Sequence, residues 1–291
     1  VIMLFAGDSL QASAGVSPSL GAQNSTTSIT GPGFEPDVGF FGCVGADFSA
    51  NIDDKRAIEV LGIAVNDEVP TNVAHGRNIA NLRGQIIFSD KVTGQVLDNT
   101  VNWSASAAFT SSGFDMTVAD GDSSGDVVGY LALKDPDKNW WAGTVYSPTN
   151  TGSVVTNDAG FKPDAVIQFM SMLTSVDSLS TDTGKVTALS IGLFDVIKEL
   201  SHGMYSPGGN ADTTFAQDAA VDLNSSTDAD VFDAIRNKFT SDGYELDYTA
   251  VDGTTRKWVG FAVGTKATSS LVSLSGTIAT PTGETTADIG G

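Results

Sequence analysis

Gly33-Phe34-Glu35-Pro36-Asp37-Val38 returns as Gly160-Phe161-Lys162-Pro163-Asp164-Ala165, 127 residues further along. Each hexapeptide leads into an apolar run, Val38-Gly39-Phe40-Phe41-Gly42-Cys43-Val44 in the first case and Ala165-Val166-Ile167-Gln168-Phe169-Met170 in the second. A proline just before such a run loses no ladder donor, so both read as strands entering a sheet. Other matches keep nearly the same offset. Gly62 in Leu61-Gly62-Ile63-Ala64 is echoed by Gly192 in Ser190-Ile191-Gly192-Leu193-Phe194, a shift of 130. Phe109-Thr110-Ser111-Ser112-Gly113-Phe114-Asp115-Met116 returns as Phe239-Thr240-Ser241-Asp242-Gly243-Tyr244-Glu245-Leu246, again by 130. Val128-Gly129-Tyr130-Leu131-Ala132-Leu133 returns as Val259-Gly260-Phe261-Ala262-Val263-Gly264, by 131. Colinear matches at an almost constant offset predict a tandem duplication.

A further echo lies near the end of the sequence. Ala142-Gly143-Thr144-Val145-Tyr146-Ser147-Pro148-Thr149 resembles Ser275-Gly276-Thr277-Ile278-Ala279-Thr280-Pro281-Thr282. Two readings stand: the later copy closes the sheet of the second unit, the preferred expectation, or it belongs to a further unit of a longer protein. The expected organisation is an N-terminal segment or arm over 1–24, a first unit over 25–140 and a second over 141–291.

Within each unit strand signals dominate. Gly243-Tyr244-Glu245-Leu246-Asp247-Tyr248-Thr249 alternates apolar and polar residues, and Asp252-Gly253 separates it from Arg256 to Val263, which predicts a hairpin. Phe114 to Ala119 and Val127 to Leu133 make the corresponding pair in the first unit. Helix signals are sparse: Asp228 to Asn237, with Val231 and Ile235 one turn apart, and a single turn over Asp195 to Leu200. About eight strands per unit predict an all-β chain of two tandem antiparallel β-sandwich, jelly-roll-like units.

Composition narrows the function classes. The 291 residues carry 35 Asp and Glu against 15 Lys and Arg, a formal charge of -20. Phosphates would be repelled, so neither nucleic acid nor an anionic membrane is the expected partner. Of the acids 29 are Asp and 6 Glu, a bias towards turns over helices. One cysteine, Cys43, excludes an intrachain disulfide framework and reads as a small buried hydrophobe. The apolar run Val1 to Phe5 is too short for a signal or a membrane span, and a chain that does not begin with Met is expected to be processed or a fragment.

Few residues invite chemistry. Asp120, Asp122 and Asp126 alternate as calcium ligands would, but no Glu stands at the twelfth position, and an acidic turn is preferred. His75-Gly76 and His202-Gly203 recur in corresponding segments read as loops, without a nucleophile motif beside either, so both read as loop or interface histidines. Asp53-Asp54 and Asp135/Asp137 are pairs of the kind a glycosidase needs, but so acidic a chain offers many such pairs. Trp103, Trp140, Trp141 and Trp258 could stack on sugars. Neighbours on a strand point to opposite faces, so at most one of Trp140 and Trp141 is free, and packing is the preferred role. The expectation is no catalytic residue, no cofactor and no metal.

The Gly-Phe-x-Pro-Asp strands resemble those of a family of tailed-bacteriophage and prophage proteins built from tandem units. Those units open with Gly-Phe-x-Pro-Asp-x-Val, pass through a Gly-containing strand and an Asp-Gly-aromatic strand, and end in a Tyr-Leu-Ala-Leu-Gly-like strand. Here the motifs read Gly33 to Val38, Leu61 to Val65, Ser112-Gly113-Phe114 and Tyr130 to Leu133, then Gly160 to Val166, Ser190 to Phe194, Asp242-Gly243-Tyr244 and Phe261 to Gly264. The likeness covers about residues 25–134 and 141–265. Ser112 replaces the usual Asp, and Gly39 interrupts the first strand. The resemblance implies a non-enzymatic virion structural protein, a capsid decoration or a tail or fibre component, whose partners are other copies of itself and other virion proteins. It transfers no active-site residue. The alternative expectation is a carbohydrate-binding adhesion module that meets host-surface glycans.

Overall fold

Backbone polar groups in extended segments find partners only across strands, and most of the described residues lie in strands. The computed structural model describes residues 8–43, 57–65, 71–77, 82–97, 100–121, 126–156, 158–183, 187–206, 213–226 and 229–266. Among these residues there is no helix, and every strand pairing is antiparallel.

The first ten strands are β1 (Gln11–Val16), β2 (Thr26–Ile29), β3 (Val38–Cys43), β4 (Ala57–Val65), β5 (Thr71–Arg77), β6 (Leu82–Phe88), β7 (Thr93–Leu97), β8 (Thr100–Thr110), β9 (Gly113–Gly121) and β10 (Gly129–Lys134). They form a larger sheet ordered β1-β10-β3-β4-β5-β6 and a smaller one ordered β2-β9-β8-β7. The following strands are β11 (Lys138–Tyr146), β12 (Gly152–Thr156), β13 (Ala165–Ser171), β14 (Ser180–Thr183), β15 (Thr187–Asp195), β16 (Glu199–Ser206), β17 (Thr213–Gln217), β18 (Val221–Ser226), β19 (Ala229–Phe239), β20 (Tyr244–Ala250) and β21 (Lys257–Thr265). Their sheets run β11-β21-β13-β15-β16-β17 and β12-β20-β19-β18. Strand for strand, the order in the second pair of sheets repeats the first. Only β14 has no counterpart among the described residues, and it joins the first pair's larger sheet, at β6.

Details of the backbone repeat as well. The Asp37 N–H donates to the Leu133 carbonyl and the Asp164 N–H to that of Val263, both at 2.8 Å. Their carboxylates accept the N–H of Asp135 (2.8 Å) and of Thr265 (2.7 Å). Gly33 and Gly160 take φ of 75° and 70°, a conformation glycine adopts without strain, which explains why both hexapeptides open with it. A Cβ on Gly62 would lie 1.4 Å from the Val92 carbonyl oxygen, and one on Gly192 would lie 2.0 Å from that of Ala220.

Three apolar clusters lie between consecutive sheets. The first unit's two sheets share Phe41, Ala64, Ile86, Trp103, Phe114 and Met116. The second unit's share Trp141, Val166, Phe194, Phe232, Tyr244 and Trp258. The third cluster joins the two larger sheets through Val38, Phe40, Ile63, Ile87, Trp140, Ile167, Phe169 and Phe261. Both faces of β13 are therefore covered, and all seven of its residues are buried. That is why its sequence reads as a continuous apolar run.

Several expectations are corrected. Of the segment read as a helix over Asp228 to Asn237, Ala229 to Asn237 lies in β19 and Asp228 falls outside the described residues, and Asp195 to Leu200 is a strand turn in which Asp195 Oδ1 accepts the N–H of Ile197 (2.6 Å) and of Lys198 (2.7 Å). The expected hairpins are corners: β9 and β20 belong to the smaller sheets, β10 and β21 to the larger ones. At the second corner Arg256 donates to the Asp252 carboxylate and to the Met172 carbonyl (2.6 Å), which turns the chain away from β20. Gln11–Val16, inside the stretch read as an N-terminal segment over 1–24, is the edge strand of the first large sheet. Ala142 to Tyr146 lies in β11, which pairs with β21 and thus opens the second unit. The strand expected to close the second unit is Ser275 to Thr282. Those residues themselves lie outside the described ones.

Candidate functional site

One tie between the two halves is the crossing from β10 to β11. Lys134 ends β10 and Lys138 begins β11, so three residues make the crossing. Ser9 Oγ lies 2.7 Å from both Asp135 Oδ1 and Asp137 Oδ2. The Asp137 N–H donates to Asp135 Oδ1 (3.0 Å) and the Lys138 N–H to the Asp135 carbonyl (3.1 Å). From the far end of the second unit, the Lys266 N–H donates to the Asp137 carbonyl (2.9 Å) and its Nζ to that of Pro136 (2.6 Å). The Asp135/Asp137 pair therefore holds the crossing together, and Asp135 is buried.

A second tie runs from Met172 to Thr183. Leu173 enters the cluster between the large sheets, Val176 packs on it, and Leu179 packs on the first unit's core. Asp177, at φ 53°, donates its N–H to the Ile87 carbonyl (2.7 Å) while its carboxylate accepts the Ser89 N–H (2.8 Å) and hydroxyl. Aspartate tolerates this left-handed conformation better than most residues. The chain then pairs as β14 with β6, Ser180 opposite Gln85 and Thr183 opposite Leu82. The second unit thus adds a strand to the edge of the first. Sequence patterning gave no sign of this arm, because its polar Ser-Thr-Asp-Thr strand lacks apolar alternation.

Among the described residues the four sheets have eight edge strands. Of the eight edge strands, β1 (QASAGV), β2 (TTSI), β7 (TGQVL), β12 (GSVVT) and β17 (TTFAQ) carry neither charge nor proline. Proteins that must stay apart usually place such residues there, although short edges are also a protection. A chain of charge -20 that keeps five edges neutral has its acids elsewhere, in turns and on sheet faces.

The remaining sequence candidates fall as follows. Asp120 is exposed near the end of β9, Asp126 is buried with its carbonyl accepting the Leu20 N–H (2.8 Å), and Asp122 lies outside the described residues. No group of three metal-ligating side chains occurs among the described residues. His75 and His202 stand in strands β5 and β16, not in loops; His202 is exposed and its carbonyl accepts the Ser190 hydroxyl (3.2 Å). Asp53-Asp54 lies outside the described residues, and Cys43 ends β3. All four tryptophans are buried: Trp103 and Trp258 inside the two units, Trp141 towards the second unit's interior and Trp140 towards the joint. The Trp258 indole N–H donates to the Ser171 carbonyl (3.0 Å).

One buried polar pair stands out in the second core. Gln168 Nε2 donates to the Tyr244 hydroxyl at 2.6 Å. Burial pushes that hydroxyl well above its ordinary value, against the opposing hydrogen bonds of Gln168 and Thr156. Tyr248 is pushed the same way by burial, with Tyr244 adding to it. Both hydroxyls therefore resist ionisation.

Comparison with family models, curated proteins and solved structures finds no match. No helix of the described residues is long and apolar enough to cross a membrane.

Proposed function

We propose that the chain is a non-enzymatic structural protein of a tailed-phage virion, a capsid decoration or a tail or fibre component. Its body is two copies of one β-sandwich unit, arisen by tandem duplication. The repeated strand order, the paired roles of Asp37 and Asp164, and the matched close approaches at Gly62 and Gly192 support the duplication. The observation that carries the functional reading is the way the units are joined: β14 of the second adds to β6 at the edge of the first. Strand addition to a sheet edge is also a general way to join separate chains. Five neutral edges leave further places for it. The resemblance of the Gly-Phe-x-Pro-Asp strands to those of tailed-phage tandem-unit proteins supports the phage setting.

Partners under this reading are other copies of the chain and other virion proteins. Particles from the producing culture, purified by density banding and analysed by mass spectrometry, test it. The chain should band with the particles in a fixed ratio to the major capsid protein and resist removal by salt washing. A chain found only in the soluble fraction would refute the reading.

A further inference from the structure

At one place in the cores the two units differ as a set. In the first unit Phe41 on β3 meets Phe114 on β9, their ring centroids 5.1 Å apart and edge-on, and Ile29 on β2 lies opposite Phe114. All three are buried in one cluster. The second unit has Gln168, Tyr244 and Thr156 in these positions. Gln168 stands opposite Gly192 as Phe41 stands opposite Gly62, and Thr156 lies opposite Tyr244 as Ile29 lies opposite Phe114. Here the Tyr244 hydroxyl accepts the Gln168 Nε2 hydrogen bond (2.6 Å) and makes a second one with the Thr156 side chain.

An apolar triad thus has a polar twin, and the same fold is built around either. The polar one is the costlier. Gln168 is fully buried, and its Oε1 has no hydrogen-bond partner among the described residues. A buried network left partly satisfied is worse than apolar packing of the same shape. Stability therefore does not account for the polar triad, but matching does. Gln168 belongs to the larger sheet, and Tyr244 and Thr156 belong to the smaller one, so the Gln168–Tyr244 bond spans the interface between the two.

We propose that this triad sorts the sheets of the duplicated chain, so that each larger sheet accepts the smaller sheet of its own unit and rejects that of the other. Crossed pairing is the hazard of neighbouring copies of one fold, within a chain or between two chains. In a crossed sandwich Gln168 would face Phe114 and Ile29 and find no partner, while Tyr244 would face Phe41 and lose its bond to Gln168. Each buried group left short in this way disfavours the crossed form by about tenfold to a hundredfold. The penalty falls on the wrong partner and spares the right one, which is how a repulsive element creates specificity.

The test refolds the full chain from denaturant and reads the yield of native monomer by size exclusion with light scattering. Thr156→Ile, Gln168→Phe and Tyr244→Phe together give both units the apolar triad. Once folded, this variant should resist denaturant at least as well as the parent. Its monomer yield from about 10 µM chain should nevertheless fall severalfold, with the remainder in soluble oligomers. Adding Ile29→Thr, Phe41→Gln and Phe114→Tyr trades the triads between the units and restores the mismatch, so the yield should return towards that of the parent. An unchanged yield in the first variant overturns the proposal, as does a traded chain that folds in the cell yet refolds no better than the first variant. Where the traded chain does not fold in the cell either, the oligomers of the first variant decide. Met116 on β9 is buried in the first core. With methionine replaced by its photoreactive diazirine analogue, crossed pairing predicts links from Met116 to β13 or β15. Links from Met116 confined to the first unit overturn the proposal.

Discussion

Phe261 offers the sharpest test of how the two units are joined. It lies on β21 in the second unit, yet its side chain faces the first: its ring centroid is 5.0 Å from that of Phe40 in an edge-on arrangement and 6.0 Å from that of Trp140. It is 1% exposed. Truncating a buried phenylalanine to alanine costs about 3–5 kcal/mol in lost transfer energy and cavity. Were that face open to water in solution, the same change would cost within about 0.5 kcal/mol. Phe261→Ala should therefore lower stability by about 3 kcal/mol or more, and the loss should reach both units. The assay is hydrogen exchange read by mass spectrometry on peptides from β8 and β9 in the first unit and from β19 and β20 in the second. Where exchange runs through global unfolding, about 3 kcal/mol accelerates it about a hundredfold. A cycle with Phe40→Ala should leave a coupling of about 0.5–1.5 kcal/mol. Unchanged exchange in β8 and β9, with zero coupling, would show that the units do not share a core and would refute the reasoning.

Other outcomes follow from particular contacts. Gly62→Ala should destabilise the chain by about 3 kcal/mol or more in denaturant titration, because a Cβ there meets a backbone carbonyl that no rotamer change can move; a loss below about 1 kcal/mol would contradict the close approach. Asp177→Ala should cost about 1–3 kcal/mol through its lost bonds to Ser89 and its left-handed backbone, with Asp177→Asn milder, and exchange at β6 should quicken in step. The buried Tyr244 and Tyr248 have raised folded-state values, so their contribution is complete below pH 10.0 and is lost as pH climbs above it towards the folded values. Stability should then fall by about 1.4 kcal/mol per pH unit for each tyrosine. Tyr244→Phe should reduce that slope by about half, and an unchanged slope would contradict burial of the hydroxyl.

The sequence was most informative where one constraint acts on one residue. Gly33 and Gly160 mark left-handed turns, Asp37 and Asp164 hold the ends of the last strands, and the run from Ala165 to Met170 is apolar because both faces of β13 are covered. It misled where two periods compete. Val231 and Ile235 carry a helical spacing, but β19 shifts register at Asp233/Ala234 and again at Arg236/Lys238. Phe232 and Ala234 are buried and Ile235 exposed, the alternation of a strand, while Val231 is buried beside Phe232 and adds to the helix-like spacing. The Asp252-Gly253 signal was sound as a turn, since Gly253 takes φ 78°, but a turn does not say which sheet the next strand joins. The anchor that decides this, Arg256 on Asp252 and Met172, bridges distant parts of the chain. The joint was half legible: adjacent tryptophans implied two buried faces, whereas the polar β14 arm left no pattern to read.

A three-dimensional map of the particle by electron cryomicroscopy tests the central claim most directly. The prediction is repeated density that accepts both units in their joined arrangement, in contact with neighbours along strand edges. A complete particle map with no such density, alongside the chain free in solution as a monomer, would contradict it.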